Sequence, residues 1–107
     1  MKEPVSECPL EGAFNLLSGK WKNLSLYCLT GGSMRFNAIQ RANPGLSQQM
    51  LSRDLKDLEA AGVVSRRVTP TVPPQVEYGL TDGGKRLIPI LKDLGDWWGT
   101  MRAAPGS

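Results

Sequence analysis

Between Leu46 and Gly62 the apolar positions fall at helical spacing. At about 100° per residue, Leu51, Leu55 and Leu58 share one stripe, Gln49, Arg53, Lys56 and Ala60 take the opposite side, and Gln48 and Ser52 lie on the flanks. Both ends are punctuated. Ser47 is a good N-cap, Leu46 before it can pack on Leu51 one turn in, and Gly62 supplies a residue that tolerates positive φ after the last turn. The pattern predicts a helix over 47–61 with one face on a core and the other polar and net positive.

Upstream, Cys8, Pro9 and Glu11 fit the N-cap, N1 and N3 positions of a short helix with Leu10, Ala13, Phe14 and Leu17 on one face, ending near Ser18 and Gly19. A second helix is predicted from Lys20 or Trp21 to about Thr30, with Trp21, Leu24, Ser25 and Cys28 as its inward positions and Gly31 and Gly32 as the break. On that reading Cys28 is a small buried hydrophobe. Residues 33–36 suit a brief strand, and 37–42 a short helix with a partial apolar face from Phe36, Ile39 and Gln40. Asn43, Pro44 and Gly45 make a turn into the helix at 47. Two helices joined by a tight turn, the second polar and basic outward, match a helix-turn-helix.

After Gly62, residues 63–69 and 75–80 read as strands around the proline-rich loop 70–74, which predicts a β-hairpin with Arg66 and Arg67 at its base. The prolines stiffen its tip and remove backbone donors. Charge there serves edge-strand protection or, beside a helix-turn-helix, a wing reaching along a DNA backbone. Residues 81–84 cap a last helix in which Leu87, Leu91, Leu94, Trp98 and Met101 recur at spacings of four, three, four and three. Pro89 inside it predicts a kink or a late start. Trp97 and Trp98 cannot face the same way, so one of them needs a partner outside the fold's own core. A dimer interface of Leu87, Leu91, Leu94, Trp97, Trp98 and Met101 supplies it. The fold class is thus α+β, mainly α: a winged helix-turn-helix with flanking N- and C-terminal helices. We expect one domain over 1–107, with its core in 8–101 and a frayed tail over 102–107.

A chain of 107 residues, 40% hydrophobic, suffices for one modest core. The formal charge of +3 is uneven: 20–67 holds eight Lys/Arg against three Asp/Glu, and the remainder is net negative. That distribution favours a polyanion partner. The absence of histidine excludes a histidine base, a His-bearing zinc site and a Ser-His triad, and two cysteines make neither a metal site alone nor a stapled secreted domain. With no nucleophile–base pair or phosphate loop, we expect no enzyme, no cofactor and no metal. No apolar run approaches the ~20 residues of a membrane span. The start MKEPVSECPLEG carries acids and a proline where a signal peptide needs basic and apolar segments, so a cytoplasmic protein without a membrane partner is expected.

Glutamine and arginine at the start of a helix can bond adenine and guanine edges in a major groove, so the polar face at 48–56 reads as a DNA-reading surface as well as a solvated one. The candidate DNA-contacting residues are Arg35, Ser47, Gln48, Gln49, Ser52, Arg53, Lys56, Arg66 and Arg67. The competing class is a winged-helix module for protein–protein contact alone. It would want an exposed apolar anchor on that face, where Arg53 alone suits a hot spot.

The chain resembles the HxlR-type family of bacterial winged helix-turn-helix transcription regulators, relatives of the MarR type. The resemblance rests on Cys8-Pro9-Leu10, Gly19-Lys20-Trp21-Lys22, Met34-Arg35-Phe36, the run from Pro44 to Leu51, Leu55 to Glu59, Val72-Pro73-Pro74 with Val76-Glu77-Tyr78, and Leu80-Thr81 with Gly84. It implies a homodimer, held by N- and C-terminal helices, on a near-palindromic double-stranded operator. It also implies that some members sense oxidants or electrophiles through the cysteine at the position of Cys8. Two stretches depart from the family pattern. Residues 23–28 are more polar than its aliphatic run, and the Gly83-Gly84 pair weakens the start of the last helix.

Cys8 at a helix N-cap would see the positive end of the helix dipole, which favours thiolate, while Glu11 opposes it unless Lys20 or Lys22 lies near. The alternative is a structural cap. Trp21, Tyr27, Trp97 and Trp98 similarly admit two roles, a small-molecule effector pocket between subunits or ordinary core.

Overall fold

The computed structural model describes residues 8–103. Its elements run α1 (Pro9–Leu17), α2 (Lys20–Cys28), a 3-10 turn (Leu29–Gly31), β1 (Met34–Arg35), α3 (Phe36–Ala42), α4 (Gln48–Ala60), β2 (Val64–Thr69), β3 (Gln75–Leu80) and α5 (Asp82–Ala103). The architecture is the expected mainly helical winged helix-turn-helix. The three strands form an antiparallel sheet in the order β1-β3-β2. The pairing of β1 with β3 joins residues far apart in the chain, which the local pattern at 33–36 does not announce.

Helix α4 organises the core. Ser47 Oγ accepts from the Met50 amide at 3.1 Å, and at the other end Val63 N donates to Leu58 O and Gly62 N to Glu59 O, with Gly62 at φ +80°. This is a Schellman closure, and Val63 and Leu58 supply its apolar contact within the core cluster. Leu51, Leu55 and Leu58 are buried against Leu26, Leu29, Ile39, Leu46 and Val64.

The start of α5 is bolted to the end of α4. Thr81 Oγ1 accepts from Gly84 N at 3.0 Å and reaches Gly62 O at 2.6 Å. Gly84 is buried, and a Cβ there would overlap the Val63 carbonyl oxygen. The glycine that lowers helix propensity is therefore required by close packing.

Three expectations need correction. In α2 the buried positions are Lys22, Ser25 and Leu26, continuing to Leu29, whereas Leu24 is 38% exposed and Cys28 half-buried. The same i, i+3, i+4, i+7 spacing fits both sets one residue apart, and packing on α4 selects the rotated one; the Trp21 side chain lies outside the described residues. Helix α1 forms as predicted, with its apolar face uncovered among the described residues, Leu10 and Phe14 being 57% and 56% exposed. Helix α5 does not start late but runs through Pro89 from Asp82. Pro89 and Lys85 are both exposed, so water can satisfy the carbonyl that the proline leaves unpaired. Finally, Arg102 and Ala103 belong to α5, with the Arg102 guanidinium 5.8 Å from the Trp98 ring centroid; residues 104–107 lie outside the described residues.

Candidate nucleic-acid interface

The Ser47 cap fixes where α4 begins, and the leucine stripe fixes which side faces out. Gln48, Gln49, Arg53 and Lys56 are exposed and Ser52 is half-buried, as an amphipathic helix seated on its apolar face requires. The first amides of the helix, at Gln48 and Gln49, have no intrahelical partner.

Strand register places the arginines. Arg66 pairs with Tyr78, and Tyr78 with Met34, whereas Arg67 and Arg35 both pair with Glu77. Paired residues share a face and neighbours alternate, so Arg66, Tyr78 and Met34 form a row on one side of the sheet and Arg67, Glu77 and Arg35 a row on the other. Both arginines sit within β2 rather than at the base of the hairpin, and they diverge.

Between α4 and the Arg66 side of the sheet runs a trough. A groove of about 490 Å³ is lined by Phe36, Gln48, Gln49, Ser52, Arg66, Val76 and Tyr78. A second, of about 350 Å³, shares Ser52, Arg66 and Tyr78 and adds Lys56 and Glu59. Five of the expected residues thus come together, namely Gln48, Gln49, Ser52, Lys56 and Arg66, with Arg53 on the exposed ridge beside them. Arg35 and Arg67 do not join them, and Arg35 Nη2 instead donates to Gln75 Oε1 at 2.6 Å. Sequence reasoning missed Phe36, Val76 and Tyr78. Tyr78 was within reach, because the five-residue loop between the two strands sets the register that seats it opposite Arg66.

Charge on α4 is sorted by side. Lys22, on α2, has a side chain only 9% exposed and donates to Asp57 Oδ2 at 3.1 Å. Burial raises the Asp54 carboxyl pKa above its ordinary value, against the opposing pull of Lys22 and Arg53. These acids lie toward α2 while Arg53 and Lys56 face solvent, so the outward face is more cationic than the helix's composition suggests.

Away from the trough, an open cleft of about 550 Å³ between α2 and α5 is lined mainly by Tyr27, Leu91, Leu94, Trp97 and Trp98, with Asn23 and the Lys92–Asp96 ion pair at its edge. Cys8 is exposed at the N-cap of α1, and its side chain makes no capping bond. Lys22, one of the two lysines that could offset Glu11, is held instead by Asp57.

The pattern of the HxlR-like helix-turn-helix family matches residues 16–104, nearly the whole described fold. The chain belongs to that family. A Methanothermobacter thermautotrophicus protein described as an uncharacterized HTH-type transcriptional regulator is 49% identical over 90 residues, which cover 84% of this chain and 69% of that one. Among solved structures, the redox regulator HypR in its reduced form superposes with a TM-score of 0.81 at 40% identity, covering 90% of this chain and 95% of the other. The reduced form of the Bacillus subtilis transcriptional regulator YodB gives 0.80 at 36% identity, covering 95% of this chain and all of YodB.

Proposed function

We propose that this HxlR-type chain is a sequence-specific transcription regulator that binds double-stranded DNA as a homodimer on a near-palindromic operator. The observation that carries the reading is the outward face of α4, where Gln48 and Gln49 in the first turn and Arg53 and Lys56 further along stand exposed on a helix whose opposite side is fully buried. Glutamine and arginine there match adenine and guanine edges in a major groove, Ser47 and Ser52 suit nearby polar contacts, and Lys56 suits a phosphate. Arg66 beside them brings the wing to the adjoining backbone, while Arg35 and Arg67, on the other face of the sheet, have at most phosphate roles. The alternative of a pure protein-contact module lacks an apolar anchor on α4's outer face.

A dimer is supported by the apolar surface that the chain leaves open on α1 and α5, including Leu10, Phe14, Leu94, Trp97, Trp98 and Met101. The α2–α5 cleft falls within the size range of small-molecule sites, which supports an effector seated near the dimer seam. Likeness to a redox regulator, together with the exposed thiol at the α1 N-cap, supports Cys8 as the candidate sensor. A regulator of this kind acts in the cytoplasm; among the described residues no helix is long and apolar enough to cross a membrane.

Selection of bound duplexes from a random pool, followed by affinity measurements across salt concentrations, tests the reading. It predicts one enriched motif with two half-sites about one helical turn apart and an affinity that falls steeply with salt. Failure to enrich any motif would contradict it.

A further inference from the structure

We propose that Lys22 is a positioning residue for DNA reading: its bond to Asp57 sets the rotation of α4 about its own axis, and so the aim of Arg53, while adding little to stability. The inference rests on the DNA-binding reading above and adds to it the contact that orients the reading face. Lysines are seldom buried. Lys22 is nonetheless only 8% exposed, on the side of α2 that it shares with Ser25, Leu26 and Leu29, and its ammonium donates to Asp57 Oδ2 at 3.1 Å. It also attracts the half-buried Asp54, one turn before Asp57 on α4. One buried cation of α2 therefore faces two acids of the reading helix.

Stability does not account for this pair. Taking an ammonium out of water is costly, and the Asp57 side chain is 51% exposed, so water screens much of the attraction that offsets the cost. A methionine of similar length would fill the Lys22 site without that penalty. What the pair supplies is direction. Leu51, Leu55 and Leu58 hold α4 by apolar contact, which has no preferred angle, whereas an N–H···O bond is lost when its atoms separate by about half an ångström. Arg53 and Asp57 are four residues apart, about 40° around the helix, so a bond that fixes one fixes the other. A turn of α4 by about 10° would carry a guanidinium roughly 9 Å from the axis through about 1.6 Å, several times the ~0.5 Å within which a recognition geometry is held. The bond from α2, made across 35 residues of chain, resists that turn. The pair has no net charge, so the attraction of the outer face for phosphate does not depend on it.

The test compares full-length wild type, Arg53→Ala, Asp57→Glu and the double variant Lys22→Met with Asp57→Asn, which removes the pair without stranding a charge. Each is measured on a duplex that the wild type selects from a random pool, on single-base-pair variants of that duplex, and on an unrelated duplex. We expect the double variant to unfold at about the wild-type denaturant midpoint and to lose about tenfold in preference at the position that Arg53→Ala relaxes. Its affinity and salt slope on the unrelated duplex should stay at the wild-type values. Asp57→Glu keeps the acceptor at a half-exposed site and should retain most of the preference. Wild-type preference in the double variant, beside its loss in Arg53→Ala, would overturn the positioning role and leave the α4 reading intact. Clearly earlier unfolding of the double variant, or an Asp57→Glu protein as indiscriminate as the double variant, would also overturn it. Wild-type preference at every position in both Arg53→Ala and the double variant would overturn both readings.

Discussion

Helices α4 and α5 carry apolar stripes of similar spacing, and the chain treats them in opposite ways. On α4, Leu51, Leu55 and Leu58 are no more than 1% exposed, so the stripe is used up inside the protomer and the polar face is left free. On α5 the stripe reaches the core only through Leu87, Ile88 and Leu91; beyond them Leu94, Trp97, Trp98 and Met101 stand 48%, 55%, 55% and 53% exposed. A completed stripe turns a helix into a platform for whatever its outer side chains recognise. An uncompleted stripe calls for another apolar surface, and α1, with Leu10 and Phe14 equally open, is of the same kind.

Breaking each stripe should therefore have different consequences. Leu94→Glu, on the open stripe, should leave folding nearly unchanged but yield monomers in sedimentation. The loss of linkage between two half-sites should reduce operator affinity by about 10²–10⁴-fold. A wild-type monomer at micromolar concentration would remove the basis for that expectation. Leu55→Ala, on the closed stripe, should instead cost about 2–5 kcal/mol in denaturant unfolding, because the cavity opens in the middle of the cluster. Equal effects of the two substitutions on stability would erase the distinction between the stripes.

Two smaller substitutions sharpen the closed side. Ser25 is fully buried and its hydroxyl has no hydrogen-bond partner among the described residues. Ser25→Ala should raise stability by up to about 1 kcal/mol, with gains from desolvation and helix propensity; a clear loss would mean that the hydroxyl is bonded. Asp54 has a folded-state pKa above its ordinary 3.8, so the folded state holds the proton more tightly than the unfolded chain. The carboxylate therefore weakens the fold above its raised pKa, and that penalty fades as pH falls through it. Asp54→Asn should be slightly more stable than wild type at pH 7, with the gap closing by about pH 3. A gap that widens on acidification would reverse the assigned sign.

Where local rules act alone, the sequence was informative. Ser47 and Gly62 bounded α4, its leucine spacing chose the buried face, and the residues around loop 70–74 marked the hairpin. Where two registers fit the same spacing, it was not. The inward face of α2 was decided by packing on α4, including the Lys22–Asp57 pair across 35 residues, which no local pattern announces. The same holds for the trough. Gln48, Gln49 and Ser52 were legible from helix periodicity, but the separation of Arg66 from Arg67 and Arg35 depends on which strand pairs with which. Pro89 misled because an exposed proline costs a helix less than a buried one, and exposure is a property of the fold.

Base-pair reading by the outer face of α4 is tested most directly by measuring wild type and Arg53→Ala against a selected operator and its single-base-pair variants. Arg53→Ala should lose roughly 1–3 kcal/mol on the operator and stop discriminating at one position in each half-site, with unfolding unchanged. An Arg53→Ala protein that folds normally and keeps wild-type affinity and preference at every position would contradict it.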